Sequence, residues 1–212
     1  MALGFRGNDE WRDMSEYLVH LTNQAAFQRI LTDGELRASR KPFGAARHVR
    51  DVEIAQQSVC LSEIPLDYLS RLVDRRGQFG VGYAKRAVAM AGGAPVWYLR
   101  KDSPVADEFK RLVENARGDD GSPTSQNDPV WNLTPYIDFP GPYWDTEYEF
   151  EWEREWRIEG LKVNTDEVRF LFAPERHHHE TARLWSGGPT PAMIDTTWPM
   201  DRIQDVLAKR AL

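Results

Sequence analysis

Between Glu147 and Ile158 the chain alternates with a period of two. Acids stand at Glu147, Glu149, Glu151, Glu153 and Glu155, and Tyr148, Phe150, Trp152, Trp156 and Ile158 fall between and after them. Residues two apart leave a strand on the same face. The spacing therefore predicts one β-strand, with an apolar face of Tyr148, Phe150, Trp152, Trp156 and Ile158 and an opposite row of Glu149, Glu151, Glu153, Glu155 and Arg157. Glutamate forms strands poorly, and like charges along one face repel. A row that breaks local rules without structural return points to a cleft that uses the acids. The plain alternative is a solvated strand face.

The other elements are read the same way. Tyr17–Thr22, Glu35–Ala38, Val59–Ser62, Phe79–Tyr83, Pro95–Leu99 and Val168–Ala173 have the short apolar patterns of strands. Residues 23–32 read as a helix with Asn23 as its cap and Gly34 beyond its end. Leu66, Leu69 and Leu72 have helical spacing, and a helical piece follows Tyr83. Residues 103–117 predict an amphipathic helix with Val105, Phe109, Leu112 and Val113 inward, and Pro199-Met200 opens a last helix. Residues 117–146 are rich in Gly, Pro, Asp and Asn but interrupted by aromatics, which predicts a loop that packs back on the fold. Strands and helices mix without a regular βαβ order, so the fold class is α+β with a bent, mixed sheet and flanking helices. Residues 1–16 read as a lead-in and 17–212 as one domain, a length that buries a core without staples.

The single cysteine, Cys60, makes no disulfide framework and fits a reducing compartment. No apolar run reaches the length of a membrane span, and the charged N-terminus lacks a signal-peptide pattern, so the expected location is cytoplasmic. The formal charge of −6 argues against a protein that coats nucleic acid non-specifically, while a local basic groove remains compatible with it. One such region is Arg37, Arg40, Lys41, Arg47, His48 and Arg50, which reads either as a charged surface loop or as an arm whose guanidinium forks hold a diphosphate. His177-His178-His179 lacks the spacing of a zinc motif and predicts an exposed loop and no metal. Magnesium chemistry needs only carboxylates and waters, but the glutamate row has no partner aspartate at an obvious spacing.

An ordered set of motifs carries a resemblance. It runs from His20-Leu21-Thr22 through Ile30-Leu31 and Gly34, Val59-Cys60-Leu61-Ser62-Glu63-Ile64-Pro65-Leu66, Phe79-Gly80-Val81-Gly82-Tyr83 and Ala94-Pro95-Val96-Trp97-Tyr98 to Glu153-Arg154-Glu155-Trp156-Arg157-Ile158. Across about residues 17–207 this order resembles the AbiGi family of abortive phage-resistance proteins, a family labelled as an antitoxin component. The opening motif and the Ile-Leu-x-x-Gly after it also resemble DarT-type ADP-ribosyltransferases. That second resemblance implies an ADP-ribosyltransferase-like split sheet, NAD as co-substrate, and a nucleic acid or protein as acceptor. Carried over by position, it implies His20 on the first strand, Ser62 or Tyr83 beside the nicotinamide, and Glu153 and Glu155 as the acids, with Glu155 catalytic. Beside the resemblance, Thr22 shares the His20 face by period, and the diphosphate calls for an arginine of the basic arm, Arg47 or Arg50. Cleaving the nicotinamide–ribose bond builds positive charge on the ribose carbon, which a carboxylate stabilises, and a neighbouring one deprotonates the acceptor. The competing expectation is a non-catalytic antitoxin or defence protein that keeps the scaffold and binds a protein partner, without membrane attachment.

Overall fold

The structure is a computed structural model that describes residues 15–52, 56–143, 146–148, 151–158, 160–162 and 167–209. The lead-in up to residue 14, Trp144, Glu149, Phe150 and the turn at 163–165 lie outside the described residues. In chain order the strands and helices are β1 (Tyr17–Thr22), α1 (Gln24–Asp33), β2 (Glu35–Arg37), β3 (Val59–Ser62), α2 (Leu69–Arg76), β4 (Phe79–Ala84), α3 (Lys85–Met90), β5 (Ala94–Pro95) and β6 (Trp97–Tyr98). They continue with α4 (Pro104–Asn115), α5 (Val130–Leu133), β7 (Ile137–Asp138), β8 (Gly141–Tyr143), β9 (Thr146–Tyr148), β10 (Glu155–Ile158), β11 (Gly160–Lys162), β12 (Val168–Phe172), α6 (His178–Leu184), β13 (Ala192–Ile194) and α7 (Met200–Ala208). This is a mixed α+β architecture. The chain divides into two compact units, one of residues 1–36, 61–92 and 161–212 and one of residues 37–60 and 93–160.

The first unit is built on a mixed sheet. β1 pairs antiparallel with β4 along its whole length, β4 pairs antiparallel with β12, and β12 pairs parallel with β13. On the other side of β1, Val19 is in register with Ser62 of β3. α1 starts where expected: the Asn23 side chain accepts from the Ala26 N–H at 2.9 Å, and Gly34 takes a left-handed φ of 69° to close it. The glycines of β4 have a packing reason. A Cβ on Gly82 would land in the ring of fully buried Phe170 and one on Gly80 against the His20 carbonyl, so bare backbone there makes room for close neighbours. Phe170 in turn meets Tyr17 and Phe172 edge to face, at 5.0 and 5.1 Å between centroids.

The second unit packs around α4. Ser103 caps that helix by accepting from the Ala106 N–H, and Pro104 opens it. Ala106, Phe109 and Val113 face a core made with Ala46, Val49, Val52, Leu99, Val130, Trp131 and Ile137. The polar stretch 117–146 thus supplies Trp131 and Ile137 to this core, and the Trp131 indole N–H donates to the Ser125 carbonyl at 2.8 Å. Val105 and Leu112, expected inward, are more than half exposed. The buried arc of α4 is narrower than its apolar arc, so these two residues sit past its edge.

Three further expectations are corrected. Pro95–Leu99 is not one strand, because the chain changes partners within it: Pro95 is in register with Trp156, while Trp97 and Tyr98 pair in parallel with Ile137 and Asp138. The histidine triplet is not a loop. His177 ends a 3-10 turn and His178 begins α6, its Nε2 donating to the Ala173 carbonyl at 3.0 Å. The glutamate stretch is not one strand either. β9 ends at Tyr148, residues Glu151–Glu153 form a 3-10 turn, Arg154 takes a left-handed φ of 45°, and only Glu155–Ile158 is extended again. Breaking the row relieves the repulsion that five acids along one ribbon would accumulate.

The tight fit at Gly82 yields the first test. Gly82→Ala is expected to destabilise the protein by about 1–3 kcal/mol through overpacking against Phe170, measured by chemical denaturation. Adding Phe170→Leu should recover part of that loss; a double variant as unstable as the sum of both single changes would show that the ring is not the obstacle.

Candidate functional site

Within β10 burial runs along the strand instead of alternating: Glu155 and Trp156 are half-buried, while Arg157 and Ile158 are buried. Arg157, on the expected polar row, is 1% exposed, whereas Trp156, expected inward, is half-buried. A guanidinium in the interior requires anionic partners and good hydrogen-bond geometry. Arg157 has both. Its Nε donates to Glu155 Oε1 at 2.9 Å, and its Nη2 donates to Glu155 Oε2 at 3.3 Å and to Asp138 Oδ2 at 3.0 Å. Its Nη1 donates to the Pro135 carbonyl at 2.6 Å. The Phe43 ring centroid lies 5.3 Å from the guanidinium carbon, which adds a cation–π contact.

Each partner is placed by local structure. Glu155 and Arg157 are two apart on β10 and share a face, so the pairing is built into the strand. Tyr98 and Asp138 are register partners in the parallel β6–β7 pair and leave it on one side. The Tyr98 hydroxyl donates to Glu155 Oε2 at 3.0 Å. The second oxygen of Asp138, a side chain only 1% exposed, accepts from Arg47 Nη1 at 3.0 Å and from the Phe139 N–H at 3.0 Å. Two guanidinium groups and two carboxylates thus form one neutral network.

The electrostatics follow from that arrangement. Burial works against the Arg157 charge, but Glu155 and Asp138 outweigh it and hold the guanidinium above its ordinary value. Burial, then Glu155, push both the Cys60 thiol and the Tyr98 phenol up, so each stays protonated at neutral pH. Cys60 is accordingly a packed small side chain here and not an activated nucleophile.

The residues named from sequence fall in both units. In the second, Glu155 belongs to the network, with a side chain 13% exposed, and Arg47 joins it through Asp138. Glu153 is buried at the end of the 3-10 turn, and Arg50 is exposed on the preceding arm. In the first unit, His20 and Thr22 lie on one face of β1, both half-buried. Leu18 is in register with Tyr83, so Tyr83 shares the His20 face; Ser62 is in register with Val19 and lies on the opposite one. Tyr83 is buried, which raises its phenol pKa. Sequence reasoning did not single out Asp138, and read Tyr98 as a sheet residue. A signal for Asp138 existed: it stands alone in Pro135-Tyr136-Ile137-Asp138-Phe139-Pro140, and an acid buried with such neighbours needs a cation. Among the described residues no group of three or more His, Cys, Asp or Glu is placed to hold a metal ion, and no helix is long and apolar enough to cross a membrane.

A family model described as "Putative abortive phage resistance protein AbiGi, antitoxin" matches residues 37–168, more than half of the chain. The match contains every residue of the network, while His20 and Thr22 precede it. No curated protein and no solved structure matches the chain.

Two outcomes are expected from the network. Arg157→Met strands two carboxylates and should cost about 3–5 kcal/mol of stability, whereas Arg47→Ala, which leaves Asp138 its bond to Arg157, should cost about 1 kcal/mol; equal losses in denaturant titrations would refute Arg157 as the hub. Cys60 should react with a thiol reagent at neutral pH far more slowly in the folded protein than in denaturant, and equal rates would contradict its partial burial and raised pKa.

Proposed function

The chain belongs to the AbiGi family of abortive phage-resistance proteins, and from that premise we propose that it is a non-catalytic antitoxin that works by binding a protein partner. The observation that carries this reading is the state of Glu155. Both of its oxygens are bound by Arg157, and one also accepts from Tyr98. A carboxylate that stabilises a developing ribose cation does so through an uncompensated negative field aimed at the reacting carbon. Here the adjoining guanidinium cancels that field, and the four charged groups sum to zero. The arrangement suits a scaffold that holds its strands in register.

A second reading is kept for a specific observation. His20 and Thr22 share a half-buried strand face with Tyr83, the pattern that transfer of ADP-ribose from NAD asks of a first and a middle strand. In that reading the domain is ADP-ribosyltransferase-like. Glu155 and Glu153 are the catalytic acids, and His20, Thr22, Tyr83, Arg47 and Arg50 hold NAD, while Ser62, on the opposite face, drops out. The acceptor is a nucleic acid or a protein.

One experiment separates the two. The protein and its Glu155→Gln variant are incubated with NAD and cell lysate, and released nicotinamide and transferred ADP-ribose are measured beside thermal melts. The antitoxin reading expects no nicotinamide from either protein and a loss of about 1–3 kcal/mol of stability in the variant, from the weakened bonds to a buried charge. Transfer by the wild type that disappears in Glu155→Gln, with melting unchanged, would overturn it in favour of the transferase.

A further inference from the structure

The chain is acidic, yet Arg37, Arg40, Lys41, Arg47 and Arg50 fall in fourteen positions that contain no carboxylate. The structure shows how this arm is presented. Ala46, Val49 and Val52 are buried in the second unit's core, and backbone bonds from Phe43 to Gln56 at 2.8 Å and from Ala45 to Thr134 at 3.0 Å fix the chain around them. Gly44, at φ 80°, is pressed so closely on the Thr134 carbonyl that a Cβ would clash with it. Arg47 turns inward to Asp138. Arg40, Lys41, His48 and Arg50 remain outside and exposed, and Arg40, Lys41 and Arg50 form no ion pair among the described residues. By contrast, the cations on and just after α4 are neutralised locally, by Lys110–Asp107, Arg111–Glu108 and Arg117–Glu114 pairs.

We infer that this arm is the docking face for an acidic protein surface, with Arg40, Lys41 and Arg50 as its contacts. The inference rests on the reading above that the chain binds a protein. Three cations held on a fixed loop form charge pairs with a partner at little cost in ordering. A nucleic acid fits less well. Single strands are held by exposed rings between the cations, and the arm's one aromatic, Phe43, is turned onto Arg157. Duplex binding draws on many more phosphate contacts than three cations supply.

The test uses the full chain, a charge-reversed variant (Arg40→Glu, Lys41→Glu, Arg50→Glu) and a milder one with Gln at the same positions, each first shown to melt with the wild type. Binding of a fluorescein-labelled polyglutamate peptide and of a labelled single-stranded oligonucleotide is followed by anisotropy at low and physiological salt. The expected result is a peptide affinity that falls roughly tenfold or more on charge reversal, with the Gln variant between, and a peptide that binds better than the oligonucleotide. Unchanged peptide binding in both variants overturns the inference, as does a preference for the oligonucleotide, which would make the arm a nucleic-acid surface. Tagged protein recovered from phage-infected cells after carbodiimide cross-linking separates this inference from its parent. A partner joined through Lys41 and lost on charge reversal supports the docking face. A partner kept equally by the charge-reversed protein leaves the binding reading standing and overturns the face. No partner on the wild type overturns both.

Discussion

The second unit depends on the burial of one guanidinium. A positive charge taken out of water is among the costliest things a fold can contain, and it persists only when it is paired and well hydrogen-bonded. Arg157 meets that condition by joining segments distant in sequence: the 3-10 turn at Pro135, strand β7 through Asp138, its own strand through Glu155, and the arm through Phe43 and Arg47. Each contact is modest alone. Their value lies in specificity, since a one-residue slip of β10 would turn Glu155 and Arg157 away from Asp138 and Tyr98.

Much of the first unit was legible in the chain. β1, α1, β3, β4 and β12 are short, apolar and separated by clear punctuation, and Asn23 and Gly34 mark the ends of α1 as capping chemistry requires. The glycines of β4 could be read only as a close approach. That the approaching groups are the Phe170 ring and the His20 carbonyl depends on strand pairing, which a single sequence does not display. The faces of β1 show the same limit. His20 and Thr22 share a face by period alone, but that Tyr83 joins them and Ser62 does not is a matter of register.

The glutamate stretch misled for a physical reason. Alternation is evidence for a strand only while the backbone stays extended, and here the polar row carried enough like charge to favour a break. Arg154 takes the left-handed conformation that makes it, and the residue after the break became the informative one. Arg157 could be read from the strand period as a partner of Glu155, but not as a buried charge, because its second carboxylate, Asp138, lies far away in sequence. Burial of a charge is a pairwise property, whereas composition and periodicity are properties of one segment.

The second unit therefore carries two electrostatic systems with different access to solvent. In the Arg157 network the charges face one another across protein, where counterions do not enter, so dissolved salt has little leverage on it. Arg40, Lys41 and Arg50 face water, and mobile ions screen them over about 8 Å at physiological ionic strength. A change in ionic strength thus tunes what this protein attracts without loosening what holds it together, and adhesion and folding answer to separate controls although both are written in arginine.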